Sequence, residues 1–184
     1  MTIGQQRFVV TGAPGTGKTS LLTELDPAIT TVPEPARELI ARHRASTGLA
    51  NMDHDPETFV SHLLERSIEK YNAVGDGELA VFDRGLPDVV AYAAVSGLAT
   101  SPIQSVAAQF QYASPVFITP PWRQIYVTDD MRKATFAQVE QFDRALRTAY
   151  LDLGYELLEL PMESISRRAA FLMKQITGAG DSVD

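Results

Sequence analysis

Apolar positions along this chain fall into two alternating kinds of run. Short, nearly continuous apolar stretches at residues 7–11 (RFVVT), 78–82 (ELAVF), 115–119 (PVFIT) and 155–160 (YELLEL) read as buried β-strands, with a further short strand at 29–32. Between them the apolar residues recur at helical spacing. Helices are expected at 17–25, ended by Pro27, and at 34–45, after two prolines. A long amphipathic helix opens with Asp55 as N-cap and Pro56 at its first position, and carries Phe59, Leu63, Leu64 and Ile68 on one face. Helices follow in PDVVAYAAVSG and at 103–112. The stripe Phe136, Val139, Phe142, Leu146, Tyr150 and Leu153 is closed by Gly154, and a last helix is expected at 163–176. Alternating strands and helices of this kind predict an α/β fold in three layers, a mainly parallel sheet covered on both faces. No internal repeat interrupts the pattern. One domain over residues 1–177 is expected, with a polar, Pro-led lid loop at 120–133 and a flexible tail at 178–184.

The turn between the first strand and the first helix carries the most specific chemistry. Gly12, Ala13, Pro14, Gly15, Thr16, Gly17, Lys18, Thr19 and Ser20 fit G-x-x-x-x-G-K-[ST]. Glycines let the backbone close around phosphate oxygens, successive N–H groups point inward, and the next helix aims its positive end at the anion. Lys18 then serves the β- and γ-phosphates, and the Thr19 hydroxyl ligates Mg²⁺. The expected ligands are therefore a nucleoside triphosphate and Mg²⁺.

The rest of the chain must decide what becomes of the terminal phosphate: transfer, hydrolysis that drives motion, or retention as a signal. The run LAVFDRG places Asp83 at a strand end, where a carboxylate holds Mg²⁺. Motor-type ATPases commonly follow that Asp with a Glu that polarises water. Here Arg84 stands in that place, a group that clamps anions and does not act as a base. Guanine-nucleotide switches read their base with N-K-x-D, and neither Asn51 nor Asn72 begins one. Transfer fits best. Glu34, just after the second strand, is a candidate general base beside Asp83, with Arg37 one turn further on the acceptor side. Arg123, Arg132 and Lys133 lie in the lid loop, where cations close over a transferring phosphoryl group. His43, His54 and His62 have no metal-ligand spacing, and Tyr71, Tyr92, Phe110 and Tyr112 are expected on helical segments.

Composition narrows the partners. Sixteen Lys plus Arg against twenty-three Asp plus Glu give a net charge of −7, which argues against a nucleic-acid-binding face. No stretch approaches the roughly 20 apolar residues that span a bilayer. With no cysteine there is neither disulfide nor thiolate site, and a β-like run that begins almost at once suggests a cytoplasmic protein. The partner expected is a small-molecule acceptor, with a homodimer left open.

GAPGTGKTSLL, PEPARE, FDRGLPDVVAY, the Arg-bearing loop and LGYELLELP together resemble the small AAA-domain P-loop family. The chain is similar to the kinase domain of bacterial nicotinamide-riboside kinases and, more distantly, to deoxynucleoside kinases and chloramphenicol phosphotransferase. The resemblance spans residues 7–176. It implies five parallel strands in the order 2-3-1-4-5, with ATP and Mg²⁺. Glu34–Pro35 looks like the Glu-Pro pair whose acid is the base in deoxynucleoside kinases, and Asp83–Arg84 sits where those enzymes have Glu-Arg. Pro161 opens the loop that flanks adenine in such kinases. The resulting expectation is a small-molecule kinase that phosphorylates a hydroxyl of a nucleoside-like metabolite or antibiotic. The alternative is a nucleotide-binding switch of ATPase or GTPase type that acts through a protein or lipid.

Overall fold

A computed structural model of the chain describes residues 6–47, 55–126 and 134–178. Twelve elements follow one another along these residues: β1 (Arg7–Gly12), α1 (Lys18–Thr23), β2 (Thr30–Val32), α2 (Pro35–Thr47), α3 (Pro56–Ala73), β3 (Ala80–Asp83), α4 (Leu86–Val95), α5 (Ser101–Ala107), β4 (Val116–Thr119), α6 (Phe136–Asp152), β5 (Leu157–Glu159) and α7 (Ile165–Gly178). The five strands form one sheet in the order β2-β3-β1-β4-β5, and every pairing is parallel. That is the order implied by the family resemblance.

Why the strands read as unbroken apolar runs is now visible. Successive residues point to opposite faces, and both faces are covered. Val9, Ala80, Phe82 and Val116 join the core under α3, α4 and α6, whereas Phe8, Val10, Val81 and Phe117 join the core under α1 and α7. The two edge strands, β2 and β5, are three residues each and only partly buried, which leaves little free edge for another chain to pair with.

Local chemistry sets the helix ends. The Asp55 carboxylate accepts from the Thr58 N–H (3.0 Å) with Pro56 at the first helical position of α3. Thr135 and Gln138 form a capping box at the start of α6, and Gly154 ends that helix in a left-handed conformation, φ 82°. One helix is shorter than its pattern suggests. The apolar spacing predicts 103–112, but α5 stops at Ala107, because the Phe110 and Tyr112 rings pack edge-on against Tyr71 and the Ala113 N–H is drawn to the Arg7 carbonyl (2.8 Å). Phe110 and Tyr112 therefore sit in a connection, while Tyr71 and Tyr92 lie on α3 and α4.

Candidate active site

The carboxyl ends of β1, β2 and β3 deliver three chain segments to one cleft edge, as open parallel sheets do. β1 runs into the glycine-rich turn. Gly12 has φ 139° and a Cβ there would lie 2.0 Å from Thr119 Oγ1, so the turn can pass β4 only with glycine at this position. Gly15 and Gly17 are also left-handed, at φ 80° and 82°. Thr16 Oγ1 donates to the Ala13 carbonyl (2.8 Å) and meets Thr119 Oγ1 (2.6 Å), which fixes the turn from inside. The Lys18 ammonium donates to the carbonyls of Gly12 (2.7 Å) and Ala13 (3.0 Å), so it lies within the curl of the loop. Burial, with help from the Arg84 guanidinium, pushes Lys18 down to about 8.

β3 ends in Asp83 and Arg84. Thr19 Oγ1 donates to Asp83 Oδ2 (3.3 Å), while Asp83 Oδ1 is buried without a hydrogen-bond partner among the described residues. Burial raises the Asp83 carboxyl above its ordinary range, against the pull of Lys18. An orphaned carboxylate oxygen beside a threonine hydroxyl is a donor set that fits Mg²⁺, which takes one or two protein carboxylates and completes its shell with phosphate oxygens and water. No group of three or more acidic, His or Cys side chains suited to a metal occurs among the described residues.

Arg84 is the hub. Its backbone is left-handed, φ 76°, a conformation that costs a residue with a Cβ of order 1–3 kcal/mol and persists only where its surroundings enforce it. They do. Its N–H donates to the Val10 carbonyl (3.1 Å), Nε donates to Glu34 Oε1 (2.6 Å) and Nη1 to Asp88 Oδ1 (2.8 Å). The guanidinium also lies 5.8 Å from the Tyr92 ring centre and 5.5 Å from that of Phe142. Asp88 is fully engaged: it accepts from Thr11 Oγ1 (2.7 Å), Arg84, the Gly85 N–H (3.0 Å) and Tyr150 OH (2.5 Å). Burial would raise the Glu34 carboxyl, but Arg84 and Lys18 outweigh it and hold the group at about 2.

Lys18, Thr19, Glu34, Asp83 and Arg84 thus converge, although the sequence scatters them over three segments. Arg37 sits at the rim, its Nε on Glu34 Oε2 (2.9 Å) and its side chain 56% exposed. Arg123 is not brought in: its guanidinium lies over Phe136, 4.1 Å from the ring centre. Arg132, Lys133 and the rest of the lid beyond Tyr126 lie outside the described residues, as do His54 and the His43 side chain; His62 is exposed on α3. The described part of the lid touches the loop through Ile125 and Tyr126, and the Tyr126 ring is so close to Gly15 that a Cβ there would lie 2.7 Å from it. Ala13, Pro14 and Ser20 lie along the turn and the start of α1, and Pro161 follows β5, its carbonyl accepting from the Glu163 N–H (2.9 Å).

Three participants escape sequence reasoning. Asp88 anchors Arg84 and is itself held by the Tyr150 hydroxyl, and Arg168 reaches the loop from α7, donating from Nη1 to the Thr16 carbonyl (3.1 Å). Signals for two of them exist. Asp88 is four residues after Arg84 at a helix start, and Arg168 falls on the same stripe as Leu172 and Ile176, where a charge is out of place.

A family model described as an AAA domain matches residues 7–168. No curated protein matches the chain in sequence. Among solved structures the chain is similar to NadR protein in complex with NR, at 15% identity and a TM-score of 0.69, covering 99% of this chain and 52% of that one, so that it spans about half of that protein. It is similar to deoxyadenosine kinase from M. mycoides with dCMP and dCDP bound (9% identity, TM-score 0.68, 94% and 99% covered). Shikimate kinase from Acinetobacter baumannii in complex with shikimate is a third such structure (14% identity, TM-score 0.61, 96% and 95% covered). At these identities the likeness is one of fold.

Proposed function

This chain belongs to the AAA-domain family, and on that premise we propose that it is an ATP-dependent small-molecule kinase that transfers the γ-phosphate to a hydroxyl of a nucleoside-like metabolite or antibiotic. The observation that carries the reading is the convergence of Lys18, the Thr19–Asp83 pair and the Glu34–Arg84 pair at the ends of three adjacent strands. A donor half and an acceptor half share one cleft edge. In this reading the loop from Gly12 to Ser20 holds the triphosphate and Pro161 flanks the base. Lys18 exchanges the carbonyls of Gly12 and Ala13 for phosphate oxygens, an easy exchange for a desolvated ammonium with a lowered pKa.

Asp83 and Thr19 would hold Mg²⁺, which when bound supplies charge neutralisation between the phosphates. Glu34, on the other side of Arg84, faces the acceptor. Phosphoryl transfer asks little of a base beyond orienting the hydroxyl and taking its proton late, so a carboxylate with a low pKa suffices. Arg37 binds on the acceptor side, Arg84 holds Glu34 toward it, and Arg123 and Arg132 belong to the lid that closes over the transferred group. Arg123 must leave Phe136 to do so.

Incubation with ATP, Mg²⁺ and a panel of nucleosides and hydroxylated antibiotics, read by mass spectrometry, tests this function. A phosphorylated acceptor is expected, and Glu34→Gln is expected to cut its formation by about 10²–10⁴-fold with ADP binding retained. ADP that accumulates slowly while every acceptor stays unmodified would replace transfer with the nucleotide-switch reading.

A further inference from the structure

Arg168 is 2% exposed. Its Nη1 donates to the Thr16 carbonyl (3.1 Å), its Nε has no partner among the described residues, and no described carboxylate lies within ion-pair distance. Of the other buried cations in the described residues, Arg84 has Glu34 and Asp88, Lys70 has Glu38 together with the Pro33 carbonyl, and Lys18, itself expected at the phosphates, has the carbonyls of Gly12 and Ala13. The adjacent Arg167 shows what an ordinary arginine does on this helix. It is exposed and pairs with Glu163 one turn back (2.9 Å). Burying a cation without an anion is costly, and the cost is tolerated where something else repays it.

Geometry indicates what repays it. The Arg168 guanidinium lies against the last glycine before Lys18, since a Cβ on Gly17 would stand 2.9 Å from Nη1. In a trans peptide the C=O and the following N–H point in opposite directions. A guanidinium that holds the Thr16 carbonyl outward therefore turns the Gly17 N–H inward, to the concave side of the loop where an anion is received. The same guanidinium adds a positive charge directly behind that N–H.

We propose that Arg168 is a positioning residue of the nucleotide site, which orients the Gly17 N–H and leaves its own charge uncompensated for the β-phosphate of a nucleoside di- or triphosphate. The proposal rests on the reading that the glycine-rich loop holds such a nucleotide, and does not depend on the identity of the acceptor. Desolvation acts in the same sense, since it depresses the guanidinium's affinity for its proton and a nearby phosphate reverses that. Through Arg168, α7 is joined to the loop.

Calorimetric titration of ADP and AMP into the full chain and two variants tests the proposal, alongside the melting midpoint without ligand. Arg168→Met is expected to weaken ADP binding by about tenfold or more, AMP binding by less, and to leave the ligand-free midpoint unchanged or raised. Arg168→Lys, which keeps the charge and one donor, is expected to stay within about threefold of wild type for ADP. Equal losses for ADP and AMP in Arg168→Met would mean a loosened loop rather than a phosphate-directed charge, and would overturn the proposal. So would unchanged ADP binding in Arg168→Met, or a loss in Arg168→Lys as large as in Arg168→Met. Wild-type protein that binds no ADP would overturn the kinase reading as well, whereas wild-type binding with an unaffected Arg168→Met overturns this proposal alone.

Discussion

Two arginines are buried on opposite sides of the glycine-rich loop, and the fold treats them differently. Arg84, 5% exposed, is held by two carboxylates and lies beside the packed pair of Tyr92 and Phe142 rings, in a backbone conformation that its partners enforce. Arg168, 2% exposed, has a single carbonyl among the described residues. The first is internally neutralised and behaves as a keystone: it ties β3 to the segment after β2 through Glu34 and to α4 through Asp88. The second is left with a surplus of charge, which suits a residue that waits for an anion. Burial alone would not separate the two, since both are equally hidden. What separates them is whether the countercharge is in the chain or must be brought by a ligand.

Arg84→Met breaks the comparison most strongly. It leaves the buried Asp88 without a cation and Glu34 with only the half-exposed Arg37, and the expected loss is about 3–5 kcal/mol in urea unfolding, against a change near zero or a gain for Arg168→Met. The triple variant Glu34→Gln, Arg84→Met, Asp88→Asn is expected to be more stable than Arg84→Met alone, because it removes the charges together. If the two single arginine variants lose the same stability, the distinction between a compensated and an uncompensated cation is wrong.

How much of this is legible in the sequence follows the same division. The strands, their parallel arrangement and the loop are legible, because continuous apolar runs, Gly/Pro punctuation and a phosphate-loop spacing are local signals. Asp83 and Arg84 are legible as a pair because they are adjacent and end an apolar run. That Glu34 meets Arg84 fifty residues away rests on family resemblance and on both lying at strand ends, since no local spacing reports it. Tyr150 looks like an ordinary helix position, and the four-residue spacing from Arg84 hints at one ion pair for Asp88 but not at the four hydrogen bonds it accepts. Arg168 is hidden by its neighbour, because an RR pair at a helix start reads as solvated charge until the buried stripe is drawn through it. Arg123 shows the reverse case: a cation in a loop suggests a phosphate ligand, while in the structure an aromatic ring holds it.

Acid titration gives a smaller effect with a definite sign. Glu34 is held at about 2, below its ordinary 4.5, so in the folded state it stays ionised where the unfolded chain takes up a proton. Its contribution to stability is present above pH 4.5 and is lost as pH falls from 4.5 through about 2. The size is up to about 3 kcal/mol, at about 1.36 kcal/mol for each tenfold change in proton affinity. Asp83 acts in the opposite sense, since its raised value disfavours the folded state above its own ordinary range. The comparison of wild type with Glu34→Gln isolates the first effect: the variant's urea midpoint is expected to fall less steeply over that window. Arg168 has no carboxylate partner among the described residues, and Arg168→Met is therefore expected to keep the wild-type slope. A slope changed by Arg168→Met would place an acidic group against it.

The smallest effect belongs to the rim of the Arg84 keystone. Tyr150 is fully buried, its hydroxyl donates to Asp88 Oδ2 (2.5 Å) and accepts from the Gly85 N–H (3.2 Å). Tyr150→Phe keeps the ring in its packing against Tyr155 and removes one oxygen. Asp88 retains Arg84, Thr11 and the Gly85 N–H, and that N–H retains Asp88, so no buried polar group is orphaned. The expected cost is about 1–2 kcal/mol of stability, the ordinary loss of a hydrogen bond to a charged group, with ADP affinity unchanged. A loss as large as that of Arg84→Met would shift the keystone from the arginine to Asp88 and its hydroxyl donors, because the carboxylate would then depend on Tyr150 as much as on its cation.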